Sequence, residues 1–294
     1  MDFKQIEAFV NVVRYKSFSK AADASFFTQP TISTHIQNLE KELGVKLLNR
    51  KSRTVEMTTQ GATFYKFAVE MINSRARAIE SISKSNDTVE GILEIQTSSI
   101  PGVTFLPDYL ADFKKEHELI QYYVSLSDSQ RVVDNIIDRR GEIGFVGEKI
   151  TNSSFKTHLV SSDKSVLISP KSFALKNKIS FEEAFKYPFI WRETGSATRK
   201  NFEETAAKKG FDRNIIKFAA LVDDLDAVVR TVESGLGVSI ISEKVAQTLG
   251  DRVNISEISD FDDNRSFYMI YLKNSSLSPA AAAFAEFVKM KSQK

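Results

Sequence analysis

Apolar positions in the first sixty residues fall into three short helical patterns. Phe3, Ile6, Phe9, Val10 and Val13 return at helical spacing and give a first helix one apolar face. Ser17 or Ser19 is placed to cap a second helix whose Phe18, Ala21 and Ala22 turn inward, the alanines being small enough for another helix to cross closely. A third helix opens at Thr28-Gln29-Pro30, with Thr28 as N-cap. Pro30 falls in its first turn, where the N–H it lacks has no intrahelical partner. Ile32, Ile36 and Leu39 bury one side of this helix, and Gln29, Thr31, Ser33, Thr34, Gln37 and Asn38 occupy the other. A solvated face would look the same. The short connection over 25–27, however, makes the second and third helices a helix-turn-helix, and Gln, Ser and Thr read base edges in a major groove. A basic segment follows, Lys46, Arg50, Lys51 and Arg53, and ends in the alternating run Thr54-Val55-Glu56-Met57-Thr58. It predicts a short strand or hairpin, a wing that grips phosphates.

Thr58 is placed to cap a long helix from Thr59, with Phe64, Phe67, Ala68, Met71, Ile72, Ile79 and Ile82 as an apolar stripe among charged residues. Such a stripe usually serves a core. Between two domains, though, the helix has little of its own chain to pack on, so a second copy is the expected cover. The polar tract Ser81–Thr88 reads as a hinge. From Gly91 onward strands alternate with helices: strands at 92–95, 122–126 and 143–146, and helices at 107–116 and 130–139. A second unit begins at Val166-Leu167-Ile168 and adds strands at 189–191, 218–222 and 238–241. A last strand, 267–272, and helix, 280–290, should return to the first unit. The alternation predicts two parallel-sheet α/β lobes, with crossovers near Ser161–Ser165 and Asp263–Ser266.

The stretch from Phe9 to Gly61 resembles the winged helix-turn-helix of LysR-type transcriptional regulators. The matching elements are Ser17-Phe18, Ala21-Ala22, Gln29-Pro30, Ile32-Ser33, Ile36, Leu39-Glu40, Leu43-Gly44, Leu47-Leu48, Arg50, and Thr58 with Gly61. Many positions agree at fixed spacing, and a weaker resemblance runs through the rest of the chain. It implies an α/β protein with an N-terminal winged helix-turn-helix (1–58), a long linker helix and hinge that dimerises the chain (59–87), and a C-terminal two-lobed, periplasmic-binding-protein-like effector domain (88–294). Lobe I would take 88–163 and 265–294, and lobe II 164–264. Carried over by position, Gln29, Pro30, Thr31, Ser33, Thr34 and Gln37 would face bases or nearby phosphates, and Arg50 and Arg53 would hold the DNA backbone. Position 34 is often basic in the family; here it is Thr34, which leaves more of the phosphate attraction to the wing.

Ligands in such folds sit at strand C-termini, between the lobes. Three hydroxyl-rich loops fall there: Thr97-Ser98-Ser99, Ser127-Asp128-Ser129, and the run Arg192 to Arg199 with Thr194, Ser196 and Thr198. Backbone N–H groups, hydroxyls and arginines ahead of a helix suit a small anion, although Ser and Thr also cap helices routinely. The run at 192–199 resembles a segment found in the LysR branch that includes regulators of sulfur metabolism and carbon fixation. Two departures qualify the anionic reading. Asp128 and Asp224 put carboxylates near the crevice, and Gly144 replaces an acidic residue common in the family, placing a change at the rim. A zwitterion or an amine-bearing effector is left open. Trp191 belongs to core packing or to the cleft wall.

Charge and composition agree with this picture. Residues 1–60 carry nine Lys/Arg against six Asp/Glu, a net +3, and the rest of the chain is about −1. A basic head on a neutral body fits nucleic-acid binding. With no cysteine, the chain has no disulfide, thiolate nucleophile or Cys-based zinc site, and His35, His117 and His158 lack ligand spacing, so neither metal nor cofactor is expected. Ser196 sits in no G-x-S-x-G elbow, and Gly235-Leu236-Gly237 lacks the third glycine of a dinucleotide fingerprint, so an enzyme is not expected. No apolar run reaches the ~20 residues of a membrane span, and the N-terminus lacks a signal-peptide pattern, which points to the cytoplasm. The expected partners are promoter DNA, a small-molecule effector, and further copies in a homodimer or homotetramer, with RNA polymerase contact allowed by the resemblance. A DNA-binding protein whose body is only an oligomerisation scaffold is the rival reading.

Overall fold

The computed structural model describes residues 1–49, 55–82, 89–211, 217–261 and 265–293. The head is built from α1 (Phe3–Tyr15), α2 (Phe18–Ala24) and α3 (Gln29–Leu43). Local chemistry sets their ends. Asp2 and Gln5 form a capping box on α1, Ser17 caps α2 through the Lys20 N–H, and Thr28 caps α3 through the Thr31 N–H. Gly44 ends α3 in the left-handed conformation at φ 68°. Ile6, Phe9, Ala21, Ala22, Ile32, Ile36 and Leu39 close one core. Strands β1 (Leu48–Asn49) and β2 (Glu56–Met57) pair antiparallel as the base of the expected wing. Arg50 and Arg53 lie outside the described residues.

Glu40, on α3, anchors that wing. Its carboxylate accepts the Leu47 N–H at 2.9 Å and the Leu48 N–H at 3.3 Å, and pairs with Lys46 Nζ at 2.8 Å. Burial would raise its pKa, but the Lys46 and backbone hydrogen bonds hold it below its usual value.

The long helix α4 (Thr59–Ile82) begins where expected, with the Gly61 N–H donating to Thr58 Oγ1 at 2.9 Å. Its packing corrects the sequence reading. Tyr65, Ala68 and Val69 are buried in the head core, and Phe64 meets Phe9 at 5.7 Å between ring centroids. Farther along, Asn73 Nδ2 donates to Glu142 Oε1 at 3.0 Å and to the Ser276 carbonyl at 3.1 Å, Lys66 pairs with Asp138 at 2.9 Å, and Glu70 pairs with Arg139. One face of α4 is therefore covered by its own chain. Phe67 and Ile79, from the expected stripe, remain exposed. Most of the expected hinge, 83–88, lies outside the described residues.

The body has two lobes. The first holds a five-stranded sheet in the order β4-β3-β5-β13-β6. It is formed by β3 (Gly91–Ser98), β4 (Ile120–Ser127), β5 (Ile143–Val146), β6 (Phe155–Asp163) and β13 (Arg265–Leu272). Helices α5 (Ser99–Val103), α6 (Leu106–Glu116), α7 (Ser129–Ile137) and α12 (Pro279–Lys291) cover it. Strands β3, β4 and β5 are parallel, but β13 runs antiparallel to both β5 and β6, so the sheet is mixed rather than parallel. The last strand and helix do return to this lobe. Gly144 lies inside it: a Cβ there would meet Ile270 and Val132 at 2.9 Å, so the glycine makes room under α7 and is not part of a crevice rim.

The second lobe contains β7 (Ser165–Ser169), β8 (Lys178–Ile179), α8 (Phe181–Ala184), β9 (Phe189–Arg192), α9 (Ala197–Lys208), β10 (Phe218–Val222), α10 (Leu225–Glu233), β11 (Ser239–Ser242), α11 (Glu243–Thr248) and β12 (Asn254–Ile258). Its strands run in the order β11-β7-β12-β8, with the parallel pair β10-β9 joined to them by a bridge between Phe189 and Val238. That junction needs Gly237, whose Cβ would lie 2.2 Å from the Pro188 carbonyl oxygen. Trp191 is core: it is buried and stacks on Phe189 at 4.8 Å. One crossover passes through Lys164, between β6 and β7; the other, expected near Asp263–Ser266, falls partly outside the described residues.

Candidate functional site

The outward face of α3 is as polar as the sequence implies, and partly pre-ordered. Gln29, Pro30, Thr34 and Gln37 are exposed, and Thr31 and Ser33 are half-buried. The Thr34 hydroxyl donates to the Pro30 carbonyl at 2.9 Å, and Thr31 Oγ1 meets Thr28 Oγ1 at 2.8 Å. Gln37 Nε2 reaches Ser33 Oγ at 3.4 Å, and Ser19 Oγ donates to Gln29 Oε1 at 3.3 Å. These bonds leave the Gln29 amide N–H groups directed to no protein acceptor among those described, while fixing short side chains whose rotamers would otherwise have to be frozen on binding. Phe27 packs edge-on against His35 at 5.6 Å, which holds the entry to the helix.

The second site lies between the lobes. Ser98, Ser99, Asp128 and Ser129 from lobe I face Arg192, Ser196 and Thr198 from lobe II. The other three expected residues, Thr97, Ser127 and Thr194, do not line this crevice; Thr97 is fully buried and its hydroxyl donates to the Ser98 carbonyl. Ile100, Gly147, Glu193, Ala197 and Arg265 complete the lining; Glu193 and Ala197 fall in the run at 192–199, whereas sequence reasoning did not find Gly147 and Arg265. Gly147 carries no chemistry to flag it, and Arg265 arrives from the last strand, far away along the chain.

Capping and ligand roles separate here. Asp128 caps α7, accepting the Arg131 N–H at 2.9 Å, and Asp224 caps α10, accepting the Ala227 N–H at 2.8 Å. Ser98 and Ser196, at the corresponding ends of α5 and α9, make no side-chain capping bond. Arg192 Nη2 crosses the crevice to Ser99 Oγ at 3.1 Å. The same guanidinium is held by Glu193, with Nε to Oε2 at 2.8 Å and Nη2 to Oε1 at 2.7 Å. Arg199 turns away, bonding the Arg192 carbonyl at 2.9 Å and Glu203 at 2.8 Å. The crevice is shut: it holds about 20 Å³ of free space, roughly one water. Two wider spaces flank it. One, of about 640 Å³, is lined by Val103, Phe105, Leu126, Asp224, Val229 and Lys244; the other, of about 290 Å³, is spanned by the pair Lys200–Glu148 at 2.9 Å. No group of three or more His, Asp or Glu able to hold a metal occurs among the described residues.

Residues 3–62 match the model for the bacterial regulatory helix-turn-helix protein of the lysR family, and residues 86–293 match the model for the LysR substrate binding domain. The chain belongs to the LysR family of transcriptional regulators. An HTH-type transcriptional regulator of Methanocaldococcus jannaschii is 29% identical over 286 residues, covering 96% of each chain. The RuBisCO operon transcriptional regulator of Allochromatium vinosum is 27% identical over 293 residues, covering 98% of this chain and 95% of that one. Among solved structures, a full-length single-substitution variant of OxyR from Pseudomonas aeruginosa superposes with a TM-score of 0.77 at 15% identity, covering 99% of this chain and 97% of that one, which shows a shared fold. The relatives are named as regulators, not enzymes. No described helix is long and apolar enough to cross a membrane.

Proposed function

We propose that this LysR-type regulator reads promoter DNA with the outer face of α3, through Gln29, Pro30, Thr31, Ser33, Thr34 and Gln37, and holds the DNA backbone with Arg50 and Arg53 of the wing. A homodimer or homotetramer presents two or more heads to the DNA, which suits paired half-sites; the exposed Phe67 and Ile79 on α4 offer apolar surface for a second copy. Its place of work is the cytoplasm, with the DNA. The division is 1–58 for reading DNA, 59–87 for linking and dimerising, and 88–294 for sensing, with lobe I at 88–163 and 265–294 and lobe II at 164–264.

The signal is a small polar effector, carrying an anionic group, that enters between the lobes. The observation that carries this reading is the uncapped pair Ser98 and Ser196 at facing helix starts, with Ser99, Ser129, Thr198, Arg192 and Arg265 around them. Asp128 and Glu193 sit beside the arginines, so the effector also offers a donor, as a hydroxyl or an amine does. Thermal unfolding of the full chain against small anions, amino acids and sulfur metabolites tests it. A ligand at 100 times its dissociation constant should stabilise by roughly 2.7 kcal/mol. Ser99→Ala or Thr198→Ala should abolish that shift. A flat panel would favour the rival in which the body is only an oligomerisation scaffold.

A further inference from the structure

The turn between α2 and α3 breaks two local rules at one residue. Helix α2 ends in a Schellman motif: the Phe27 N–H donates to the Ala22 carbonyl at 3.0 Å and the Phe26 N–H to the Asp23 carbonyl at 3.3 Å. The residue at the left-handed position of this motif is ordinarily Gly, sometimes Asn, because a Cβ there crowds the following carbonyl. Here it is Phe26, at φ 55°. Its side chain is 97% exposed, so its large apolar surface gains no packing in return. Backbone and solvation both favour a different residue, and neighbouring side chains give no reason for this one. A violation of local preference without structural return marks a site whose benefit is realised with a partner.

The position says which partner. Phe26 stands three residues before Gln29, at the N-terminal end of the helix whose outer face is assigned to base edges, and that end of a recognition helix is the part that enters the major groove. An aromatic ring there meets one apolar feature of the groove, the C5-methyl of thymine. We propose that the Phe26 ring is a DNA contact that packs on a thymine methyl beside the base read by Gln29. The inference rests on the DNA-reading role proposed above for α3.

The test begins with a duplex that the wild-type chain selects from a random-sequence library, and an unselected duplex of equal length. Phe26→Asn keeps the left-handed backbone and removes the ring. The variant is expected to unfold at the same temperature or higher. It should bind the selected duplex roughly tenfold more weakly, in the range of one lost base contact, and the unselected duplex almost as well as before. Replacing thymines one at a time with uracil, which lacks the methyl, should weaken the wild type at one position and leave the variant unaffected there. Equal binding of the selected duplex by both proteins would overturn the proposal. So would equal loss on both duplexes, or uracil substitutions that cost both proteins alike. A smaller assembly formed by the variant without DNA would assign the ring to a second copy instead. If the wild type enriches no duplex at all, the DNA-reading role of α3 has failed and Phe26 falls with it, an outcome recognised from the wild type alone.

Discussion

Arg14, on the first helix of the head, donates from Nη2 to Glu94 Oε2 at 2.8 Å, on the first strand of the body. The two side chains are 22% and 12% exposed. Burial would pull the guanidinium pKa down, but Glu94 keeps it charged and above its ordinary value. Beside this pair, Tyr15 meets Tyr123 edge-on at 5.9 Å. Head and lobe I are thus joined by polar contacts as well as through α4. A double-mutant cycle with Arg14→Ala and Glu94→Ala, followed by chemical denaturation, should give a coupling of about 1–3 kcal/mol, between the limits for exposed and buried pairs. Additive single effects would mean that head and body are not joined here.

Glu142 sits where α4, α12 and β5 meet, accepting from Asn73 Nδ2 at 3.0 Å, the Ser278 N–H at 2.6 Å and the Ser278 hydroxyl at 2.7 Å. Burial pushes its carboxyl above the usual 4.5, more than the Ser278 bonds pull it down. A raised carboxyl favours the folded state while protonated, and that stability is lost as pH rises from 4.5 through the native value. Glu142→Gln cannot ionise. Its denaturation midpoint relative to wild type should therefore rise between pH 4 and pH 7.5, and a difference that stays constant would remove Glu142 from the pH response.

Gly61 begins α4 against the loop that leads into β1. A Cβ there would lie 2.0 Å from the Leu47 carbonyl oxygen, a backbone atom that cannot step aside. Gly61→Ala should cost at least about 1–3 kcal/mol, as overpacking does, and weaken binding to every DNA sequence by displacing the wing. Retention of wild-type stability and affinity would show that α4 can shift freely.

Gly195, in lobe II, faces Asp128 of lobe I so closely that a Cβ would lie 2.3 Å from Oδ1. Asp128 is held by its capping bond to α7. Gly195→Ala must therefore either break the cap, worth about 1 kcal/mol, or hold the lobes apart. The Gly195→Ala/Asp128→Ala double variant should be no less stable than Asp128→Ala alone. An additive further loss would place the strain elsewhere.

Gln29 and Arg53 should divide specificity from affinity. Gln29→Ala is expected to cost about 1–3 kcal/mol on the preferred sequence and little on others, whereas Arg53→Ala weakens all sequences and reduces the salt slope by about one. Electrophoretic titration at two salt concentrations separates them; equal losses by Gln29→Ala on both kinds of DNA would count against the assignment.

Local chemistry determined much of this protein before any tertiary contact. The caps at Ser17, Thr28 and Thr58, the glycine at 44, and the Ile32-Ile36-Leu39 stripe depend on neighbours within a few residues, so the helices of the head could be read directly. Strand β10 was legible at its full extent because its apolar run, bounded by Lys217 and Asp223, is five residues long, a length that suits a strand and is too short for an ordinary helix. Strand β6 was not, since its edge position lets His158 and several hydroxyls interrupt the apolar pattern. What only the tertiary structure decided were the relations between distant segments. The antiparallel return of β13 made the sheet mixed and delivered Arg265 to the crevice. Packing of α4 against the head buried Ala68 and partly covered Phe64, Met71 and Ile72, residues of the stripe that the pattern alone assigned to a partner. The reach of Arg192 across to Ser99 of the other lobe brought the two walls of the crevice together. In each case the cause is a contact whose energy depends on distance in space, and no spacing along the chain encodes it.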